Sequence, residues 1–244
     1  MIQEALQYLV ELGASDPYHE NINGINYSDR SLHVIKPPRA MPLQFSRLQG
    51  FADFANLKNE DFGDRSHLVI HVESPWCVRL THTLDATLRD REDYALAEFE
   101  AARIFPFGKF MASEEFVIAA MTLIADSDKT DRARLLSLVG NVGAEQITNL
   151  TDDGVSQQVA VKAGVTLVNR RKIDNPFKLA PFRSFAELKQ QPASPFILRA
   201  RQADATQVPT LALFECDNGA WQIDAIEGIA DWLKSKIKDI PILA

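Results

Sequence analysis

The chain has only two cysteines, Cys77 and Cys216, among its 244 residues. That excludes a disulfide-dense scaffold. Each sits in an apolar, strand-like context, which suits a small buried side chain with a dulled thiol better than a bridge or a nucleophile. Long hydrophobic runs are missing too. The longest, residues 116–125, is interrupted by Thr122 and falls far short of the ~20 residues needed to cross a bilayer. The first cation is Arg30, and Glu4 and Glu11 precede it, so the start lacks the basic, unbroken apolar pattern of a secretory signal. These features point to a cytoplasmic protein without a membrane partner. Positive charge is in deficit, with 26 Lys+Arg against 33 Asp+Glu and a net charge of −7. A chain of that sign repels phosphate unless its cations are segregated, which argues against a general nucleic-acid coat. The motifs G-x-S-x-G, G-x-x-x-x-G-K-[ST] and G-x-G-x-x-G are absent, so neither a nucleophile elbow nor a nucleotide cradle is indicated and no cofactor is expected.

What is present is an ordinary globular composition, 46% hydrophobic and 24% charged. A chain of this length buries roughly 70–75% of the surface its unfolded form exposes, enough for a core without metal or disulfide. Residues 2–12 place Ile2, Leu6, Leu9 and Val10 on one helical face, with Gly13 as a stop. Residues 14–42 lose periodicity and collect prolines and asparagines, with only 31–35 strand-like. A stretch that long without structure reads as an extended arm, either mobile or laid on a neighbouring subunit. Residues 43–57 recover a helical pattern. Residues 67–73 and 76–84 alternate around Ser74-Pro75 and predict an antiparallel hairpin. Residues 94–105 are ambiguous between strand and helix. Helices are expected from Ser113 to about 125 and again from Asp128 or Thr130 past Val142.

After Thr148 the pattern turns to strands. Asp152-Asp153-Gly154 reads as a turn, and residues 159–167 read as one strand bent at Gly164. Further strands are expected at 178–182, 196–200 and 208–215. Asp217-Asn218-Gly219 predicts a hairpin turn returning as a strand at 221–223. Asp224 with Glu227 resembles a capping box for a closing helix. The expected fold is α+β, with antiparallel sheets mainly in the C-terminal half and helices mainly in the N-terminal half plus a C-terminal helix. It forms a single domain, 1–244, with an extended arm at about 14–42 and a sub-boundary near 148–152.

Three groups of polar residues bear on chemistry. His71 and Glu73 lie about 7 Å apart on one strand face and, with His82, are weighed as a metal-ligand set. His67 and His71 lie about 13 Å apart, too far to share one zinc. The plainer interpretation is a solvated hairpin face. The carboxylates at 90–93 and 152–153 suit turns as well as magnesium. Arg170, Arg171, Lys172, Arg199 and Arg201 form basic clusters near Phe177 and Phe182. On one face they would suit a single strand of nucleic acid. Otherwise they are solvated strand ends. Phe105, Phe107, Phe110 and Phe116 read as core.

Several segments together resemble a known family. They are Phe105-Pro106-Phe107-Gly108-Lys109-Phe110 with Glu114-Glu115-Phe116; Asp152-Asp153-Gly154-Val155-Ser156-Gln157-Gln158-Val159; Asn175-Pro176 with Leu179-Ala180-Pro181-Phe182-Arg183-Ser184-Phe185; Gln191-Pro192 through Phe196-Ile197-Leu198-Arg199; and Leu213-Phe214-Glu215 with Gly219-Ala220-Trp221. In this order and spacing, across about residues 66–235, the chain resembles the YfdQ-like family of phage and prophage proteins of unknown function. The resemblance implies a phage or prophage origin and a cytoplasmic site in the host. It implies no activity and no catalytic residues. The expectation is a non-enzymatic accessory protein that self-assembles into a homo-oligomer through the N-terminal arm. The alternatives are a nucleic-acid-binding accessory of phage recombination or replication, using the five basic residues, and a metal-dependent hydrolase using His71, Glu73 and His82.

Overall fold

A computed structural model describes residues 2–14, 19–22, 25–28, 39–57, 62, 64–84, 90–101, 103–144, 146–152, 157–163, 167–201 and 210–244. The chain divides into two units. One comprises Met1–Arg39 with Ala86–Asp90, the other Ala40–Asp85 with Arg91–Ala244.

The first unit contains α1 (Ile2–Ala14) and a hairpin of β1 (His19–Ile22) and β2 (Ile25–Ser28), in antiparallel register from His19↔Ser28 to Ile22↔Ile25. The sequence reading gave these residues to an irregular arm. The overlooked signal is Asn23-Gly24 between two isoleucines, a favoured two-residue hairpin connection. The strand expected at 31–35 lies outside the described residues. Arg39 pairs with Asp90 at 2.8 Å.

The second unit begins with β3 (Leu43–Phe45), α2 (Leu48–Asn56), β4 (Leu68–Ser74), β5 (Cys77–His82) and β6 (Asp93–Glu98). Next come β7 (Met111–Ala112), α3 (Ser113–Leu123), α4 (Arg132–Ala144), β8 (Gln146–Asp152), β9 (Gln157–Ala163) and β10 (Leu167–Ile173). It closes with β11 (Phe177–Leu179), β12 (Ser194–Arg201), β13 (Thr210–Glu215), α5 (Trp221–Lys236) and β14 (Ile242–Leu243). The class is α+β, as expected, but helices and strands are both spread along the chain. A five-stranded sheet runs β14-β4-β5-β6-β3, antiparallel at its centre with a parallel strand at each edge. Two antiparallel sheets, β11-β12-β13-β7 and β10-β9-β8, complete the set.

The alternation in β4 and β5 is the reason for the first core. Leu68, Ile70, Val72, Val78 and Leu80 are all buried, facing Phe51 and Ala55 of α2 and Ile229 and Leu233 of α5. Burying each such side chain fully stabilises the fold by about 1.5–3 kcal/mol. Arg47, which caps α2, supplies no side-chain capping bond. Glu187, from a distant loop, accepts the Gln49 N–H at 3.4 Å instead and satisfies one orphan donor of the first turn. The second core lies between the β12 and β13 face (Phe196, Leu198, Leu211, Leu213) and the helical hairpin of α3 and α4 (Phe116, Ala120, Leu135, Val139). Phe105 and Phe116 are buried there, while Phe107 and Phe110 are half-buried.

Three expectations need correction. The apolar alternation at 159–167 belongs to two strands, because β9 ends at Ala163 and its antiparallel partner β10 starts at Leu167; Gly164 lies outside the described residues. The turn expected at Asp152-Asp153-Gly154 does so in part, and Asp152 pairs with Gln157. Residues 148–152, a candidate boundary, belong to β8. Trp221 begins a helix, not a returning strand. The Asp217 carboxylate accepts the N–H of Gly219 at 3.1 Å and of Trp221 at 3.3 Å, while Asn218 (φ 51°) and Gly219 (φ 83°) turn the chain into α5. Asp224 and Glu227 therefore lie inside the helix rather than at its cap.

Candidate functional site

The metal-ligand set expected from sequence is not assembled. Glu73 is committed to its hairpin, accepting from Arg79 Nε at 2.8 Å and from Cys77 Sγ at 3.2 Å. The Arg79 hydrogen bond, helped by Cys77, holds its carboxyl below the usual range. His71 is exposed and stands across from Arg79. His82 instead approaches His67, ring centres 5.2 Å apart, and His67 Nε2 lies 3.6 Å from Asp64. Among the described residues no three His, Cys, Asp or Glu side chains are grouped to hold a metal ion. Of the carboxylates at 90–93, Asp90 pairs with Arg39 and Asp93 with Arg79.

The basic candidates fall on two strands. Arg170, Arg171 and Lys172 are consecutive on β10, so they alternate between its faces; their side chains lie outside the described residues. Arg199 and Arg201 share the face of β12 opposite the core, where Arg201 stacks over Phe110 at 4.3 Å. Among the described residues no helix is long and apolar enough to cross a membrane.

The cysteine expectation holds for one residue only. Both thiols are free. Cys77 is half-buried, and burial first, then Glu73, pushes its thiol up to about 11. Cys216 is exposed just past the end of β13.

A polar and aromatic cluster that the sequence reading did not single out lies where the two cores meet. Its foundation is the turn between β4 and β5. The Trp76 indole N–H donates to the Arg183 carbonyl at 2.8 Å, and the Ser184 hydroxyl donates to the Pro75 carbonyl at 2.8 Å. These bonds clamp the turn to the loop between β11 and β12. That loop is anchored in turn by the Phe182 N–H, which donates to the Leu123 carbonyl at 3.0 Å. Arg183 thereby enters the interior, with only 6% of its surface exposed. Its Nη1 donates to Glu215 and its Nη2 to the Ser194 hydroxyl. The guanidinium lies over the Trp221 ring, 3.8 Å from its centre. Burial lowers the arginine's pKa from its ordinary value, against the hydrogen bond to Glu215 and the charges of Glu215 and Asp217.

Asp217 completes the network. Burial alone would raise its pKa, but the Ser194 hydroxyl, the N–H groups of Gly219 and Trp221 and the nearby Arg183 charge outweigh that and hold it low. Ser194 thus links the buried Arg183 to the half-buried Asp217, and Glu215, its side chain 28% exposed, is the other branch from Arg183. One atom is left over. Arg183 Nε is buried without a partner, a condition that calls for a physical explanation in a folded protein.

Beside this network is a cavity of about 240 Å³, lined by Trp76, Phe99, Phe107, Arg183, Glu215 and Trp221 among others. Trp76 and Trp221 meet edge to face at 5.8 Å. A more open hollow of about 570 Å³ shares Trp76 and Phe99 with it. Phe107, Arg183, Glu215 and Trp221 all come from segments quoted above for their resemblance. Their convergence was invisible in sequence because they lie on two loops, a strand end and a helix start far apart in the chain. The available signal was an arginine flanked by Phe182 and Phe185 in a stretch without helical or strand periodicity. No known protein family, curated protein or solved structure matches the chain.

Proposed function

We propose that the protein is a non-enzymatic phage or prophage accessory protein, acting in the host cytoplasm, that works by self-association. The observation that supports this reading is α1. Ile2, Leu6, Leu9 and Val10 follow each other at helical spacing, and all four are between 58% and 80% exposed. Glu4 and Glu11 fall roughly half a turn away from this stripe. An isolated helix below ~12–15 residues is marginal in water, so a helix of 13 residues with an uncovered apolar face gains its stability from a partner. A second copy suits that face, because no charge borders the stripe and two identical helices meet without repulsion. The phage setting rests on the resemblance alone.

Light scattering on the full chain tests the reading. A particle larger than 27.3 kDa is expected, and Leu6→Asp with Leu9→Asp should shift it towards the mass of one chain. A wild-type monomer at about 20 µM, well above the Kd of a specific homo-oligomer, rejects self-association. So does an oligomer whose mass the double substitution leaves unchanged.

A further inference from the structure

We infer that the cavity lined by Trp76, Phe99, Phe107 and Trp221 is a binding site for a neutral, planar nitrogen heterocycle of the nucleobase type. Two features select that chemistry. The first is shape and lining. A space of about 240 Å³ walled by Trp76, Phe99, Phe107 and Trp221 accommodates a single or fused ring and little more. Aromatic walls favour flat π-systems by offset stacking and edge contacts.

The second feature is the polar end. Arg183 presents donors and Glu215 an acceptor side by side, and both line the cavity. A ring edge carrying a carbonyl or imine acceptor next to an amine or amide donor matches that pair.

Charge excludes the neighbouring alternatives. The Arg183 charge is already met by Glu215, and Asp217 lies close enough to act on it. The polar end as a whole is therefore net negative, which disfavours a free phosphate or carboxylate ligand. An organic cation is disfavoured because the guanidinium already occupies the Trp221 face at 3.8 Å. The adjoining hollow that shares Trp76 and Phe99 gives a sugar or another substituent on the ring a way out.

Two sources present this chemistry, a free nucleoside and a base within single-stranded nucleic acid. Calorimetry on the full chain separates them, with adenosine, guanosine, cytidine and uridine in one arm and a mixed-sequence single-stranded DNA oligonucleotide in the other. Saturable binding of at least one probe with Kd below about 1 mM is expected. Binding by nucleosides alone identifies a free ligand. Tighter binding by the oligonucleotide, weakening as salt rises, identifies a base in a strand.

Trp76→Leu should weaken binding about tenfold or more by removing a stacking face. Glu215→Gln, which keeps the shape, should weaken it as well and serves if Trp76→Leu fails to fold. No saturable heat with any probe overturns the inference. Binding unchanged by either folded variant overturns it too.

Discussion

Arg183 stacks on Trp221 at 3.8 Å while its terminal nitrogens hold Glu215 and Ser194. The arginine comes from the loop between β11 and β12, and the tryptophan is the first residue of α5. One guanidinium therefore ties the entry of the closing helix to the end of β13 and the start of β12. An arginine suits this position because its planar fork bonds two partners in plane while its face lies on an aromatic ring. A lysine provides neither feature.

Replacing Arg183 by methionine should destabilise the protein by about 2–3 kcal/mol, as expected when one partner of a charged, hydrogen-bonded pair is removed. The cost stays below that of a fully buried pair because Glu215 keeps access to water. Arg183→Lys should recover less than half of the loss. Urea denaturation of the wild type and both variants measures this. A loss below about 1 kcal/mol for Arg183→Met would show that the network contributes little to folding.

Acid should weaken the fold through Asp217. Its folded pKa lies below the ordinary 3.8. Its ionised form therefore stabilises the protein fully above that value, and the contribution disappears as pH falls through the lower, folded value. Asp217→Asn removes this dependence. The stability gap between wild type and Asp217→Asn should be constant from pH 7 to about pH 5 and should shrink below about pH 4. Denaturation midpoints across that range check it, and a gap that widens on acidification contradicts it.

The two thiols should react at different rates. Cys77 is half-buried with its thiol pushed up to about 11, whereas Cys216 is exposed. The thiolate is the reactive form, so a chromogenic disulfide reagent at about pH 8 should modify one cysteine rapidly and the other slowly. Cys216→Ser should abolish the fast phase. Glu73→Gln should quicken the slow phase, because the carboxylate both accepts the S–H and opposes a negative sulfur. An unchanged fast phase in Cys216→Ser would reverse the assignment.

The hairpin of β4 and β5 was legible because alternation in Leu68, Ile70, Val72, Val78 and Leu80 has a single structural meaning once one face is buried. The stripes of α3 and α4 were legible for the same reason, through the 3.6-residue period. The turn at Asp217-Asn218-Gly219 leads into a helix rather than a strand because the turn's aspartate also accepts N–H groups at a helix start. The deciding factor is the Asp217 carboxylate, which takes the Trp221 N–H, and no pattern of hydrophobicity encodes that bond. The candidate metal ligands show the same limit. Glu73 was near His71 in sequence, but Arg79 on the paired strand claims it.

Local periodicity and composition by themselves determined that this chain folds as α+β, that its central hairpin buries one face, and that its first helix carries an apolar stripe. Those properties depend on neighbours within a few residues, and a one-dimensional pattern carries them in full. Tertiary structure alone decided which charges are spent on each other and which line a cavity. Arg183, Ser194, Glu215, Asp217 and Trp221 become a site only when β11, β12, β13 and α5 pack together. Burial of Arg183, Ser194 and Trp221 then removes the water that would otherwise satisfy them, so their polar groups find partners within the protein.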